Sequence, residues 1–97
     1  MPENPVPFPI GGSIDIYNAS QLRSTLEEHI QLHEEVIVDL AETESVDVVG
    51  LQLLCSAQKT ASKYRKVFTV INIPACLVEL QETLGLPEDL WSNPVSE

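Results

Sequence analysis

The sequence predicts an α/β fold in which strands and helices alternate as β-α-β-α-β-α around a small mixed or mostly parallel sheet. Two short β-branched runs, at 35–40 and 67–73, are typical of strands in such a sheet. Stretches with apolar residues at helical spacing separate the predicted strands. The chain has 97 residues, 43% of them hydrophobic, which is enough for one domain with its own core.

The N-terminal region divides into a proline-rich arm and a first strand. Residues 1–9 carry four prolines, which remove backbone donors and favour an extended, unpaired chain whose Val6 and Phe8 dock on the body. From 10 to 17 apolar and polar residues alternate, so we expect a strand with Ile14 and Ile16 on its buried face.

The first helix is expected to start at Asn18, with Gln21 as its capping-box partner. Its apolar stripe recurs every four residues at Leu22, Leu26 and Ile30. The strand at 35–40 follows, and then a polar turn at 42–45.

The second half of the domain begins with a helix from Asp47 to about Tyr64. The Asp47 carboxylate is the natural N-cap, because it faces unpaired N–H groups at the positive end of the helix dipole. A cluster of basic residues at its far end is interpreted as a solvated helix terminus. Its members are Lys59, Lys63, Arg65 and Lys66.

The last elements are the strand at 67–73 and a third helix. That helix starts at Pro74, ends at Gly85, and is followed by a turn that packs back through Trp91. We therefore expect a proline-rich arm over 1–9, one domain over 10–91 and a flexible tail over 92–97.

Charge and hydropathy exclude several classes of function. Fifteen acidic residues oppose five basic ones, for a formal charge of −10, which argues against nucleic acid and against anionic membrane surfaces as partners. No run of about 18 apolar residues could span a membrane. The first residues lack the basic start and the apolar stretch of a secretory signal, so we expect a soluble, cytoplasmic protein without direct membrane insertion.

No pattern of catalytic or metal-binding residues stands out. Cys55 and Cys76 form no CxxC pair, and we interpret them as buried or half-buried thiols in a reducing compartment. His29 and His33 are four residues apart on a helix but lack an evident third ligand. Gly11-Gly12 precedes a strand and has no phosphate-binding lysine. We predict a protein that is not an enzyme and has no cofactor or metal.

The loop at 45–51 is the remaining candidate site. A helix N-terminus attracts anions and phosphorylated side chains. The residues alone favour a simpler interpretation, in which Asp47 only caps the helix and Gly50 only lets it pack closely.

Four segments, in order, resemble the STAS domain, the fold of anti-sigma factor antagonists. They are 12–15 with 18–23 (G-S-I-D and N-A-S-Q-L-R), 36–40 (V-I-V-D-L), 45–51 (S-V-D-V-V-G-L), and 70–74 with 84–86 (V-I-N-I-P and L-G-L). The resemblance implies a regulatory protein-binding module. Typical members bind an anti-sigma factor that is also a kinase, and phosphorylation of the hydroxyl residue after the loop aspartate breaks the complex.

At that position this chain has Val48, followed by Val49. Valine has no oxygen to phosphorylate, so the resemblance implies binding without the usual serine switch. We expect Val48, Val49 and Leu51 to enlarge an apolar contact surface that also includes Asp47 and Gly50. Its rim is expected to be formed by Asp15, Tyr17 and Asn18. Thr43 and Ser45 are alternative phosphoacceptors, although a turn role is favoured for both.

The identity of the partner stays open. Residues 50–54 resemble STAS proteins of chemotaxis-type signalling and of lipid-transport complexes, so the partner is an anti-sigma factor, a kinase-like protein, or another signalling or transporter subunit. A different class of function is a sensor that binds a nucleotide or lipid between Asp15 and Asp47.

Two further features bear on partners. The family's usual first strand is expected to be missing before residue 10, and an unpaired sheet edge invites a homodimer or partner docking. Ten of the fifteen acidic residues lie in the first fifty positions, where Arg23 is the only basic residue. A partner with a basic docking face is therefore expected.

Overall fold

The computed structural model describes residues 6–87 and 89–91. Its elements, in chain order, are β1 (Pro7–Pro9), β2 (Gly12–Ile14), α1 (Ala19–Leu32), β3 (Glu35–Asp39), β4 (Thr43–Val46), α2 (Val48–Lys63), β5 (Val67–Ile71) and α3 (Ala75–Thr83). The alternation of strands and helices confirms the predicted α/β class. None of the helices among these residues is both long and apolar enough to cross a membrane.

All strand pairs are parallel. β1, β3 and β5 form one sheet in that order, and β2 pairs with β4 in a second one. The two sheets run on from each other, because Ile10 N–H donates to Asp39 O (3.0 Å) and Gly12 N–H donates to Glu42 O (3.1 Å) between the paired segments. The strand order rises steadily along the chain, so right-handed crossovers place α1 and α2 on the same face.

The hydrophobic core lies between the helix-facing side of the sheet and helices α1 and α2. β3 contributes Val36 and Val38, and β5 contributes Phe68 and Val70, all of them buried. Leu26 and Ile30 of the predicted α1 stripe are buried, while Leu22 is half-buried. From α2, the core receives Leu51, Leu53, Leu54, Ala57 and Ala61. The helix ends at Lys63, close to its predicted end, and Tyr64 is exposed.

The N-terminal prediction needs correction. The arm expected to be unpaired contains a strand, because β1 pairs with β3 in parallel at Pro7–Pro9, and Phe8 packs against the core as predicted. The expected strand over 10–17 is only β2, because the chain turns at Asp15 and leaves Ile16 exposed. Alternation alone predicted Ile16 as buried, since it carries no signal of where a strand ends.

The segment predicted as a polar turn at 42–45 is mostly the strand β4. Thr43 is buried, and its hydroxyl donates to the Ile10 carbonyl oxygen (2.6 Å). Ser45 is exposed and its hydroxyl donates to Ser13 Oγ (2.9 Å) across the β2–β4 pair. Hydroxyl side chains can satisfy each other across a strand pair, so polarity did not exclude a strand here.

The proline pattern of β1 protects the sheet edge. The bond from Ile10 N–H to Asp39 O sets the phase of the ladder, so Phe8 and Ile10 direct their backbone groups toward β3. Pro7 and Pro9 therefore face the open side, where proline offers no donor. Docking along this edge stays a prediction, and β1 itself is poorly suited to it.

Residues that follow α2 and α3 make hydrogen bonds back to the helices. Lys66, expected to be solvated, donates from Nζ to Ile30 O (2.6 Å) and to Gln31 O (2.9 Å) at the end of α1. Trp91 is buried, as expected for a turn that packs back, and its Nε1–H donates to Gln81 Oε1 (2.7 Å).

Candidate functional site

The start of α2 is tied to the end of β2 by one carboxylate. Asp47 Oδ1 accepts from Gly50 N–H (2.8 Å), which makes Asp47 the N-cap, as predicted. Asp47 Oδ2 accepts from Ile16 N–H (3.3 Å), and the Asp47 backbone N–H donates to Ile14 O (3.1 Å). The loop before α2 and the turn after β2 are therefore held side by side.

Gly50 makes this approach possible. A Cβ at position 50 would collide with the carbonyl oxygen of Ile14 and would lie only 2.8 Å from Ile14 Cγ2. The helix start therefore rests directly on the β2 backbone, and residue 50 must have no side chain. The requirement for close packing predicted from sequence is confirmed, with Ile14 as the element approached.

The turn after β2 is built by Asp15 and Asn18. Asp15 Oδ1 accepts from Tyr17 N–H (3.0 Å) and from Asn18 N–H (3.2 Å), an arrangement typical of an Asx turn. Asn18 makes no side-chain cap on α1, contrary to the expected capping box with Gln21. Its Nδ2 instead donates to Ser13 O (2.9 Å), which fixes the turn against β2.

The side chains of both aspartates thus accept hydrogen bonds from backbone N–H groups. The sensor alternative placed a small ligand between Asp15 and Asp47, but the oxygens described above already accept N–H groups. Two grooves among the described residues lie elsewhere. One of about 450 Å³ runs between β1, β2 and α1, and one of about 350 Å³ runs between α1 and α2, with Val49 on its wall. Asp15 and Asp47 line neither groove.

The two tethered loops present an apolar surface. Tyr17 is 90% exposed, Ile16 is 63% exposed and Val48 is 43% exposed, while Val49 is half-buried. We call these four residues the loop surface. Leu51 does not belong to it, because its side chain is 2% exposed and points into the core. Gly50 is also buried, beneath the helix start.

Of the residues predicted to contact a partner, Tyr17 and Val48 are exposed and Val49 is half-buried, and their part in binding stays a prediction. Two expectations were wrong, because Ile16 is exposed and not buried, and Leu51 is buried and not exposed. Asp15 could have revealed the first error, because an aspartate after an apolar strand residue favours a turn. The second follows from helical geometry. Leu51 is three residues from Val48, but α2 lies on the sheet and turns that position inward.

His29 and His33 stack against each other with ring centroids 4.2 Å apart, and Phe8 meets His29 edge-on at 5.0 Å. Burial is the main cause that lowers the pKa of His29, and the nearby His33 lowers it further. A hydrogen bond with the Val6 backbone acts in the opposite direction. Within the described residues, no group of three or more metal-ligating side chains comes together.

The two cysteines are both half-buried thiols. Burial raises the pKa of Cys55, and Lys59 partly opposes that shift. A raised pKa disfavours the reactive thiolate, so Cys55 has the character of a packing residue.

Comparison with known proteins supplies a family and a fold. A family model described as "Mlab, STAS domain" matches residues 3–91. The solved structure of the anti-sigma factor antagonist SpoIIAA in its unphosphorylated form is similar, with a TM-score of 0.66 and 16% sequence identity over 84% of this chain and 73% of that one. No curated protein sequence matches the chain significantly.

Proposed function

The chain belongs to the STAS domain family, and from that premise we propose that it is a regulatory module that binds a protein partner through the loop surface. The observation that carries this proposal is the double tether of Asp47, which joins the α2 start to the turn at Ile16. Ile16, Tyr17 and Val48, all exposed, then lie on the two loops that this tether joins. Apolar and aromatic side chains held in place by the backbone are suited to anchoring a partner.

Binding is proposed to occur without a phosphorylation switch at the loop. Val48 follows the capping Asp47 directly, at the position where the family resemblance calls for a hydroxyl, and Val49 offers none either. A phosphate there would add about two negative charges beside an existing carboxylate and repel a bound partner. Valine removes that means of control and replaces it with apolar contact area.

Other hydroxyls nearby are already engaged. Thr43 is buried and bonded to Ile10 O, and Ser45 is bonded to Ser13 Oγ. Of the two, Ser45 is the exposed one. We propose structural roles for both, with β2–β4 pairing as their common purpose.

The proposed partner is a signalling or transporter subunit with a basic docking face, in a cytoplasmic setting. Two carboxylates, Asp15 and Asp47, lie beside the loop surface, and Arg23 is the only basic residue among the first fifty. Complementary charge of this kind speeds association and weakens the complex as salt rises. We propose no catalytic role for the chain, in keeping with a fold that typically serves regulation.

The first test is Val48→Asp with Val78→Asp as its matched control. Val78 lies on α3 and is exposed to a similar degree, 40% against 43% for Val48. Tagged chains are expressed in the native cells, and proteins that copurify are identified by mass spectrometry.

Val48→Asp is expected to lose the partner that the wild type and Val78→Asp retain, with affinity falling about thirtyfold or more once that partner is purified. Circular dichroism should show the same helix content in all three chains. If Val48→Asp binds the partner with wild-type affinity, the loop surface is not part of the interface.

A further inference from the structure

In the part of the chain that the structure describes, the sheet formed by β1, β3 and β5 has one face whose side chains are exposed or half-buried. α1 and α2 pack together on the other face, where β3 and β5 bury their core side chains. The strand order β1-β3-β5 never reverses, so right-handed crossovers put both helices on that same side. Within the described residues, the main strand contact of α3 is with β4 and not with this three-stranded sheet.

The side chains on the uncovered face follow from the strand register. Ile37 pairs with Thr69, Glu35 with Val67, and Asp39 with Ile71. We call these six residues the open sheet face. Val67 is 44% exposed and Ile71 is 36% exposed, and Ile37 and Thr69 between them are half-buried. Parallel sheets are almost always covered on both faces, which makes an exposed apolar one unusual.

The three-stranded sheet that carries the open sheet face has dimensions that fit one helix. Five residues of a strand span about 16 Å, and the outer two of three strands are about 10 Å apart. An α-helix with its side chains is about 10 Å wide, and about 11 residues rise over 16 Å. A helix of three turns would therefore supply the layer that the chain's own crossovers leave out.

The charges on the face indicate what kind of helix it accepts. Glu35 and Asp39 lie at the two ends of β3 on this side, and the strand positions of the face include no lysine or arginine. Asp39 Oδ1 accepts from Asn72 Nδ2 (2.9 Å) and from Ala41 N–H (3.0 Å), which holds that carboxylate in place. A second copy of this chain would set four carboxylates against one another, so self-association is disfavoured here.

We infer that the open sheet face is a second docking site, which accepts an amphipathic helix of a protein partner with an apolar stripe flanked by lysine or arginine. The stripe lies over Ile37, Val67 and Ile71, and the basic flanks reach Glu35 and Asp39. This site lies on the sheet face opposite the helices, so it does not depend on the loop surface.

The test uses three fluorescein-labelled synthetic peptides of 15 residues and the full 97-residue chain. The first peptide is a helix with a leucine stripe and lysine flanks. The second has glutamate in place of lysine, and the third has the composition of the first in scrambled order. Fluorescence anisotropy should show saturable one-to-one binding of the first peptide alone, which weakens as salt rises.

Two pairs of variants locate the binding site. Ile71→Lys disrupts the apolar part of the open sheet face, and Val78→Lys places the same residue at a similarly exposed position on α3. Glu35→Lys reverses a charge on the face, and Glu28→Lys makes the same change on exposed α1. Each face variant should bind the peptide at least about tenfold more weakly, and each control should stay within about twofold of the wild type.

The possible outcomes are distinguishable. Equal binding by face and control variants, equal binding of the glutamate peptide, or no binding at about 1 mM peptide would overturn the inference. If the thermal midpoint of Ile71→Lys is far below that of the wild type, its weaker binding is not counted. The comparison of Glu35→Lys with Glu28→Lys then decides the result. Sedimentation equilibrium showing a dimer that Ile71→Lys dissociates and Val78→Lys does not would assign the face to a second copy and overturn the helix assignment.

Discussion

The two helices that cover the sheet begin in different ways. Asp47 caps α2 through Gly50 N–H and, with its second oxygen, tethers the turn at Ile16. Asn18 stands at the same position before α1 but makes no side-chain cap, because its amide is directed to Ser13 O instead. Both residues are good capping types, so residue type alone does not separate them.

The difference shows how a cap becomes part of a site. The Asp47 carboxylate has two oxygens and can serve the helix and the neighbouring turn at once. Asn18 begins a helix at the end of its own turn, where its backbone N–H is already bound by Asp15 Oδ1. Asp47 at the start of α2 therefore joins the two loops that carry the loop surface, whereas the Asn18 side chain only fixes the turn before α1 against β2.

The largest expected effect comes from Gly50→Ala, which adds a methyl group where Ile14 O lies. We expect a loss of about 3 kcal/mol in the free energy of unfolding, because the added atom must displace backbone. Urea denaturation followed by circular dichroism measures it. Gly11→Ala is the control, since a Cβ there meets Glu42 Cβ at 3.7 Å and Glu42 O at 4.0 Å, both ordinary van der Waals contacts. Equal stability of the two variants would show that α2 can move off β2 freely.

The next effect is expected from Asp47→Ala, which removes the cap and the tether together. We expect a loss of about 1–2 kcal/mol in unfolding free energy, since Gly50 N–H and Ile16 N–H both lose their acceptor. Asp47→Asn should recover the cap but not the tether, because asparagine caps well with its one acceptor oxygen and its NH2 group would face Ile16 N–H. Faster amide hydrogen exchange at Ile16 in both variants, with the Gly50 amide faster in Asp47→Ala alone, would demonstrate the tether. Unchanged exchange at Ile16 would contradict it.

A smaller, pH-dependent effect is expected toward the other end of α1. Burial and His33 lower the pKa of His29 below its ordinary value of 6.5, so the unfolded chain takes up a proton before the folded chain does. Stability should therefore be complete above about pH 6.5 and fall as the pH drops through the lowered pKa. Thermal unfolding between pH 7 and pH 5 tests this, with His29→Gln as the variant that flattens the profile.

Asp39 is not expected to contribute to the change in stability between pH 7 and pH 5. Hydrogen bonds from Asn72 and Ala41 lower the pKa of its carboxyl, so its contribution to stability is lost only below the ordinary aspartate range. A slope between pH 7 and pH 5 that persists in His29→Gln would assign the effect to another group.

The smallest effect is expected from Asn18→Ala. Its side chain caps no helix and makes one exposed hydrogen bond to Ser13 O, so we expect a change of about 0.5 kcal/mol or less in unfolding free energy. The comparison between the two helix starts predicts this contrast with Asp47→Ala. Equal losses in the two alanine variants, measured under the same urea conditions, would contradict it.

Local sequence signals predicted most of the helical half of the fold. The α1 stripe, the Asp47 cap and the close approach at Gly50 all follow from spacing and residue chemistry within a few positions. Strand ends were less predictable. Ile16 continued the alternation of β2 and was expected to be buried, but an Asx turn ended the strand two residues earlier. Turn formation competes with strand pairing, and periodicity does not measure that competition.

What the sequence by itself determined is the class of the protein: an acidic chain with an α/β fold of the STAS type, and with valines after the loop aspartate. Only the tertiary structure decided that Ile16 joins Val48 at the surface, that Leu51 does not, and that Lys66 closes the end of α1 from 35 residues away. It also decided that, among the described residues, one face of the β1-β3-β5 sheet has exposed and half-buried side chains. The reason is physical: residue type and spacing fix local conformation, but which side chains meet depends on how strands pair and on which side the crossovers pass.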